Sequence, residues 1–391
     1  GTSSGLRFSR ARKEEALYSE TCDGDIFLAA RSLCAATGQH YDQVQRGYGV
    51  KMSGFRYERI CKILDDYKVQ VKKLEYHDLL ANFLSECTPL NVDVAFVDEA
   101  QDLTSQQWLV VAHAFKNAKR MYVAGDDDQA IYEWAGADAG RMITLQGEQI
   151  VLDHSYRLPE VLHSYANQIS SRIKMRKYKL WRGNASAGEL HHWFSWRDLE
   201  FSNDESWMVL ARANQFLPAL AEALEHAGVA YSWCGSPRIK VDLAKLYVEL
   251  KTFLTGAPLK GSRVMRLLDQ SRTSKHFTFK PGEQVTVNAP GLDSVDWFGK
   301  WPHTRLQYFN RVWQRYGALE TPHTVELTTI HQAKGTEAEN VVLCPDVPAA
   351  AQTSLRDAEH RVFYVGATRA KRRLFVLKPQ QEHFYRLPKS T

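Results

Sequence analysis

The sequence has little cysteine and no long apolar run, and each absence excludes a class of protein. Its six cysteines are scattered and none forms a CxxC pair. This disfavours a zinc site or a disulfide framework and is typical of reduced thiols in a cytosolic protein. No apolar run approaches the roughly 18 residues of a membrane-spanning helix, and no charged segment followed by an apolar one indicates a signal peptide. We therefore expect a cytoplasmic protein.

The bulk composition of the 391 residues is that of a globular, mildly basic protein. Apolar residues make up 44% and charged residues 24%, which gives enough chain for about two to three domains with buried cores. The net charge of +5 permits nucleic-acid binding without requiring it. Aromatic residues form 11% of the chain, and a few exposed ones could serve as stacking platforms.

Residues 1–90 are predicted to be mostly helical. Between positions 57 and 74, apolar side chains recur at the i, i+3, i+4, i+7 spacing of a helix face; they are Ile60, Ile63, Leu64, Tyr67 and Val71. The chain opens with GTSSG and has no initiating Met. We therefore expect that residues upstream of this sequence are missing.

The rest of the chain alternates short buried strands with longer helical segments. The predicted strands are residues 92–97, 121–124, 150–152, 208–210, 325–329, 341–344 and 374–377. Such alternation predicts an α/β fold with parallel sheets. Residues 255–322 break the pattern with loops and mixed short elements, and we interpret them as a small insertion.

Polar clusters directly follow four of these strands. They are DEAQD after the first, GDDDQ after the second, DHSYR after the third and HQAKG after the fifth. In open α/β sheets, ligands bind beyond the carboxyl ends of the strands. The repeated placement therefore predicts one composite site.

The pair Asp98-Glu99 has the composition of a magnesium and water site. Mg²⁺ takes oxygen ligands, directly or through its waters, and a second carboxylate can orient or deprotonate an attacking water. The alternative is an acidic pair at a helix N-terminus, which the helix dipole favours. Taken alone, the pair leaves both interpretations open.

The second cluster, GDDDQAIYEWAGA, places three consecutive aspartates after a buried strand. They repel one another unless a cation or hydrogen-bond donors neutralise them. Gln129 can donate and accept at once, which suits a sensor of a terminal phosphate. Tyr132 and Trp134 could stack on bases. The alternative is a solvated Asp-rich turn followed by two core aromatics.

A basic run at residues 171–182 has the sequence SRIKMRKYKLWR and contains no acid. A charge run of this kind is usually a solvated face. A second interpretation is that its cations follow a DNA backbone. The sequence leaves both open.

Five motifs in order carry a resemblance to a known family. They are DEAQDL, GDDDQAIYEWAGAD, SYRLP, TTIHQAKGTEAENVVL and FYVGATRAKRRL. The chain resembles superfamily 1 helicases of the UvrD/Rep/PcrA type over roughly residues 75–255 and 323–380. The resemblance implies an ATP- and Mg²⁺-dependent 3′→5′ single-stranded DNA translocase or helicase acting in DNA repair or replication. Its partner would be single-stranded DNA or a duplex junction, with no membrane, in a nucleoid or in the cytoplasm of a viral host.

The resemblance also implies a domain plan with two RecA-like P-loop NTPase motor domains. Residues 1–90 would be a helical insertion of the first domain, and 91–150 the remaining part of that incomplete domain. Residues 151–254 and 323–391 would form the second motor domain, interrupted by the small insertion at 255–322.

Carried over residue by residue, the resemblance implies these roles. Asp98 would bind Mg²⁺, and Glu99 would be the catalytic carboxylate for water attack. Gln129 and Arg157 would act at the γ-phosphate. Arg369 would be an arginine finger, which completes the catalytic group. Tyr156 would stack on the ATP base, with Gly335 and Glu337 on the nucleotide side. The DNA contacts would be Tyr132, Trp134, Thr329 and His331. A guanidinium fork matches phosphate geometry and stays charged, which agrees with the two arginine roles.

The sequence departs from the family at the phosphate-binding loop. It has no GxxGxGKT motif, and its Gly-Lys pair, Gly299-Lys300, is followed by Trp301. Ala135 also stands where the family often has Arg. We expect the chain to be a C-terminal portion of a helicase that hydrolyses little ATP alone, or one whose partner chain supplies the loop. The alternative is a non-catalytic nucleic-acid-binding or regulatory protein derived from a helicase.

Overall fold

The computed structural model describes residues 22–272, 276–319, 324–352 and 357–388. The first 21 residues of the predicted helical region, including GTSSG, lie outside the described residues, as do residues 273–275 and 320–322 of the predicted insertion. The chain divides into two compact units. The first unit contains the residues up to Ser155, Ser164–Arg182 and Ala349–Val365, and the second contains Tyr156–His163, Gly183–Pro348 and Gly366–Thr391. The domain plan drawn from the sequence stays a prediction.

From residue 22 onwards, the described part of the first unit starts with four helices, as predicted for this region: α1 (Asp23–Thr37), α2 (Tyr41–Tyr48), α3 (Gly54–Val71) and α4 (Tyr76–Glu86). Ser53 caps α3 by accepting a hydrogen bond from the Arg56 N–H, which satisfies one of the free donors of the first turn. The predicted periodic helix therefore forms. Its apolar face is only partly buried in the core: Ile60 is buried, while Tyr67 is 57% exposed.

Two parallel strands follow, β1 (Val94–Val97) and β2 (Arg120–Val123), with α5 (Ser105–Ala114) between them. Thr104 and Gln107 form a reciprocal capping box at the start of α5, a strong local signal for a helix start. Val97 pairs with Val123 at the ends of the two strands. The loops that leave the two strands therefore start side by side. The short helix α6 (Ala139–Ile143) comes next.

The prediction of a third strand at residues 150–152 was wrong. Residues 150–152 form no strand, and Ile150 and Leu152 are 80% and 87% exposed. The strand that forms is β3 (His154–Pro159), which pairs with β4 (Arg182–Asn184), and α7 (Glu160–Ser170) lies between them. An apolar run becomes a strand only where a ladder partner is available. The DHSYR cluster therefore enters a strand instead of following one.

The second unit is built on a seven-stranded sheet. Its strands are β5 (Glu189–Phe194), β6 (Trp207–Ala211), β7 (Tyr231–Trp233), β8 (Ser236–Pro237), β11 (Val325–Thr329), β12 (Ala338–Leu343) and β13 (Ala370–Leu377), in the order β5-β13-β12-β6-β11-β7-β8. All neighbours are parallel except β7 and β8. Every residue of β6 is buried, as expected for a central parallel strand. The α/β fold class and the last four predicted strands are confirmed.

The structure also contains the following helices and strands. They are α8 (Leu217–His226), α9 (Val241–Leu254), β9 (Leu259–Lys260), α10 (Gly261–Leu268), β10 (Gln284–Val285), α11 (His303–Tyr316), α12 (Ala349–Gln352) and α13 (Asp357–Ala367). Leu267 and Trp301 from the predicted insertion lie in the same hydrophobic core as Val209 and Leu327 of the sheet. In the part of the chain that the structure describes, no helix is long and apolar enough to span a bilayer.

Candidate functional site

The acidic pair lies where β1 ends. Asp98 and Glu99 are both exposed, and the Glu99 N–H donates a hydrogen bond to Asp98 Oδ1 at 2.8 Å. Glu99 has φ 49°, a left-handed conformation that is uncommon for a residue with a side chain and is often found at functional sites. The next long helix, α5, begins several residues later and has its own cap in Thr104. A 3₁₀ helix, Ala100–Asp102, begins directly after Glu99, although the Glu99 side chain does not cap it. The alternative that the pair lies at a helix N-terminus therefore stays open.

Gln101 connects the acidic pair to the loop after β2. Its side chain is fully buried. Its Nε2 donates a hydrogen bond to Glu99 Oε2, and its Oε1 accepts one from the Asp126 N–H at 3.0 Å. A Cβ at Gly125 would lie 2.4 Å from Gln101 Oε1, so glycine is required there for this approach. Gln101 belongs to the DEAQD motif, but the sequence pattern indicated no role for it.

The three aspartates are neutralised by cations from the basic run. Lys179 Nζ lies 2.6 Å from Asp126 Oδ1, 2.5 Å from Asp127 Oδ1 and 3.2 Å from Asp128 Oδ2. Arg176 Nε donates to Asp128 Oδ1 at 2.8 Å. Asp127 and Asp128 are buried. The expectation that cations or donors must neutralise this cluster is confirmed, and the alternative of a solvated turn is not.

These contacts and the burial of the cluster shift the pKa values of its charged groups. Burial alone would raise the pKa of Asp126, but the charge and hydrogen bond of Lys179 outweigh it and lower that pKa below its ordinary value. Burial would lower the pKa of Lys179, and the three aspartates raise it instead. Burial raises the pKa of Asp128 in spite of its cationic neighbours. The contact between Lys179 and Asp126 therefore favours the charged form of both partners.

The basic run is thus divided by the fold, and neither interpretation of it holds for the whole segment. Arg176 and Lys179 face the aspartates and are mostly buried, with 16% and 17% of their side chains exposed. Lys177 contributes its backbone N–H, which donates to Asp127 Oδ2 at 2.8 Å. The exposed side chains of the run include Lys174 and Tyr178. The reason for the division is that buried aspartates require internal cations.

Sequence reasoning missed Arg361, which is fully buried in α13. Its guanidinium donates to the Asp127 carbonyl at 2.8 Å, to Glu133 Oε1 at 2.5 Å and to the Met175 carbonyl at 2.7 Å. Guanidinium geometry allows one side chain to serve three acceptors. The sequence signal was weak, because a lone Arg is usually a surface residue.

The remaining predicted residues of the first unit lie in the same loop. Gln129 Nε2 donates to Asp126 Oδ2 at 2.8 Å. The rings of Tyr132 and Trp134 are 6.4 Å apart and nearly edge-on, and both residues are half-buried. Half-exposed aromatics fit either a stacking role or a core role. The assignment of these two rings to DNA therefore stays a prediction.

In the second unit, Glu337 lies between two cations. Arg157 Nη1 is 3.3 Å from Glu337 Oε2, and Lys371 Nζ is 2.5 Å from Glu337 Oε1. The hydrogen bond from Lys371 is the main cause that lowers the pKa of Glu337, and Arg157 adds to it. The structure therefore brings two predicted residues together and adds Lys371, for which the sequence pattern indicated no role.

Tyr156 is highly exposed, and Gly335 adopts a conformation that favours glycine. The side chain of Tyr156 is 90% exposed, while its carbonyl accepts a hydrogen bond from Asn184 Nδ2 at 2.9 Å. The ring is therefore accessible to a base while its backbone is fixed. Gly335 has φ 81°, and a Cβ placed on it would meet no atom within 4 Å, so the need for glycine there is conformational.

The other predicted residues of the second unit are buried in it. Thr329, at the end of β11, and His331 are 5% and 6% exposed. Arg369 is 2% exposed and donates to the Thr336 carbonyl at 3.3 Å and to Thr368 Oγ1 at 3.1 Å. The Arg369 hydrogen bonds join the turn that leads into β13 to the Thr336 backbone. The predicted roles of these three residues stay predictions.

Two parts of the chain match known families. Residues 41–149 match the UvrD/REP helicase N-terminal domain, and residues 312–381 match the UvrD-like helicase C-terminal domain. Both matches, together with the relatives below, support a superfamily 1 helicase of the UvrD/Rep/PcrA type.

Individual relatives show similarity over parts of the chain. An ATP-dependent DNA helicase PcrA from Staphylococcus aureus is 31% identical over 103 residues, which are 25% of this chain and 14% of that protein. The protein of the same name from Bacillus subtilis is 24% identical over 226 residues, 48% of this chain and 30% of the relative. The matched regions therefore span less than a third of these relatives.

Proposed function

We propose that this chain is part of an ATP-dependent 3′→5′ single-stranded DNA translocase or helicase. The observation that carries the proposal is the position of Asp98 and Glu99 at the end of β1, hydrogen-bonded through Gln101 to the Asp126 loop at the end of β2. Such an edge of a parallel sheet is where α/β proteins bind ligands. Family membership supports the reaction class.

The residues at this edge fit Mg²⁺ at Asp98 and not at the three aspartates. Asp98 is an exposed carboxylate, the kind of oxygen ligand that Mg²⁺ takes, usually with several of its waters retained. Asp126, Asp127 and Asp128 already surround the Lys179 ammonium. A divalent ion there would be repelled by that charge. Asp98 is therefore the residue that would hold the metal.

Glu99 and Gln129 would act on the attacking water. Glu99 has an exposed carboxylate that can orient water and accept its proton. Gln129 offers both a donor and an acceptor. Bound MgATP would supply the phosphoanhydride bond whose hydrolysis drives movement.

Arg157, Tyr156 and Arg369 would bind the nucleotide from the second unit. Arg157 makes one 3.3 Å contact with Glu337 and keeps about a third of its side chain exposed, so a phosphate could compete for its guanidinium. Tyr156 offers an exposed ring for the base. Arg369 would be the arginine finger, and Gly335 would give the left-handed turn beside Glu337.

DNA would be bound by the aromatic pair and by residues after β11. Tyr132 and Trp134 would stack on bases, which needs only a π-face and so tolerates any sequence. Thr329 and His331 are almost fully buried, so only the family resemblance supports a DNA contact for them. These assignments follow from the family and from the half-exposed rings.

The test is ATP hydrolysis by the full-length protein that carries this chain, with and without single-stranded DNA. Hydrolysis stimulated by DNA is expected, and its absence would contradict the proposal. Glu99→Gln should abolish turnover and leave nucleotide binding intact. Glu86→Gln is the matched control, because Glu86 is exposed at the end of α4 and outside both loops. Loss of nucleotide binding in Glu99→Gln would contradict the role of Glu99.

A second candidate is a nucleic-acid-binding or regulatory protein without ATPase activity. The observation in its favour is that this sequence contains no GxxGxGKT loop, whose backbone N–H groups hold phosphates. It predicts DNA binding by the full-length protein without any hydrolysis. A partner chain that supplies the loop is distinguished from this by hydrolysis that appears only in the complex.

A further inference from the structure

We infer that Gln101 is a positioning residue that couples the loop of Gln129 to the carboxylate of Glu99. The inference rests on the proposed function and deepens it. It concerns how the two loops act together, and all the residues involved lie in the first unit. Neither the metal ligand nor the arginine finger takes part in this coupling.

The first step is that both ends of the Gln101 amide are used. Its Nε2 donates to Glu99 Oε2 and its Oε1 accepts from the Asp126 N–H at 3.0 Å. The side chain is fully buried, so water cannot replace either bond without rearrangement. An amide side chain presents a donor and an acceptor on one planar group. Glu at this position would lose the donor, and Met would lose both.

The second step extends the chain of hydrogen bonds to Gln129. The Asp126 carboxylate accepts from Gln129 Nε2 at 2.8 Å through Oδ2 and contacts Lys179 at 2.6 Å through Oδ1. The order of contacts is therefore Glu99, Gln101, Asp126, Gln129. Each link is short, and no link depends on the second unit.

The third step is the close packing around Gln101. A Cβ at Gly125 would lie 2.4 Å from Gln101 Oε1, 2.7 Å from Met142 Sδ and 3.2 Å from the Ala100 backbone N. Real Cβ atoms do not approach so closely, so any side chain at Gly125 would move the amide. The Gly125 backbone therefore lies close against the Gln101 amide, and glycine is what allows this approach.

These hydrogen bonds allow a movement of Gln129 to reach the Glu99 carboxylate. Glu99 sits on a left-handed residue outside regular structure, and Gln101 fixes one of its two carboxylate oxygens, which leaves the other for water. When Gln129 turns toward a terminal phosphate, it releases Asp126 Oδ2. The resulting shift of the Asp126 backbone reaches Glu99 through the Gln101 amide. Water activation is thereby linked to the presence of the phosphate.

The first experiment uses the 391-residue chain and needs no hydrolysis. The backbone amide resonance of Asp126 is compared in four proteins: wild type, Glu99→Gln, Gln101→Met and the double variant. Glu99→Gln should move the Asp126 resonance in the wild-type background and leave it unmoved when Gln101 is Met. Equal shifts in both backgrounds, or none in either, would overturn the inference. A structural role alone would not produce this dependence.

The second experiment measures hydrolysis by the full-length protein. Gln101→Met should lower kcat about 10²-fold, the scale of a misplaced catalytic group, with little change in KM for ATP. Gly125→Ala should act in the same way, since its Cβ displaces the amide. Adding Gln101→Met to Glu99→Gln should cause no further loss.

The control is Gln106→Met. The Gln106 amide donates to the His77 carbonyl, outside the chain of contacts, so kcat should be unchanged. A wild-type protein without hydrolysis would defeat the proposed function, while the resonance experiment would still decide the coupling. An active wild type with an equally active and folded Gln101→Met variant would defeat the coupling alone.

Discussion

Lys179 lies 2.6 Å from Asp126, although 53 positions separate them in the chain. The ammonium also contacts Asp127 and Asp128. One side chain of the basic run therefore stabilises the entire acidic loop that carries Gln129. A segment that resembled a DNA-binding stripe supplies, through this residue, the counter-charge of the candidate site.

Removing this counter-charge should destabilise the first unit. Lys179→Met leaves Asp127 and Asp128 buried without their shared cation, which typically costs about 3–5 kcal/mol. Hydrogen exchange of peptides from the first unit should accelerate, while peptides from the second unit serve as an internal reference. Lys177→Met is the matched control, because Lys177 contacts Asp127 through its backbone N–H. Equal exchange in both variants would show that the Lys179 charge is unimportant.

The same pair predicts how this stabilisation depends on pH. The pKa of Asp126 is lowered in the folded state, so its contribution is present above the unfolded value of about 3.9 and is lost as pH falls through the folded value. The pKa of Lys179 is raised, so its contribution is complete below about 10.4 and is lost as pH rises through the folded value. The stability difference between wild type and Lys179→Met should therefore shrink as pH falls through the folded pKa of Asp126 and as pH rises through that of Lys179. A difference that does not shrink at either end would contradict this.

Trp134 should contribute to single-strand affinity if it stacks. Trp134→Ala is expected to weaken binding of a single-stranded oligonucleotide by about 1–3 kcal/mol, roughly 5- to 150-fold in Kd. Phe55→Ala is the control, because Phe55 is an exposed ring, 79% accessible, outside the predicted contacts. Unchanged affinity in Trp134→Ala together with lower stability would show that Trp134 is a core residue and does not bind DNA.

Lys371 should affect nucleotide binding through Glu337. Lys371→Met removes the 2.5 Å contact to Glu337 Oε1, so the carboxylate should hold Arg157 more strongly and compete with phosphate for it. KM for ATP in the full-length protein should rise severalfold, with a smaller effect on kcat. Lys371→Arg restores the charge and should restore KM. A change in kcat alone would contradict this arrangement.

The sequence predicted the sheet well where hydrophobic runs had partners. Strands β1, β2, β6, β11, β12 and β13 overlap the predicted runs. The same signal failed at residues 150–152 because apolarity reports the tendency of a run to be buried and not whether a neighbouring strand is available. Strand β3 begins at His154 instead.

The candidate site was likewise predicted only in part from the sequence. The sequence by itself determined the fold class, the family and the acidic pair after β1, because these depend on short-range periodicity and on ordered motifs. Only the tertiary structure decided that Gln101 joins two loops, that Lys179 neutralises three aspartates and that Arg361 reaches Asp127 across 234 positions. The physical reason is that a buried charge selects its partner by distance in space, after folding has fixed both backbones.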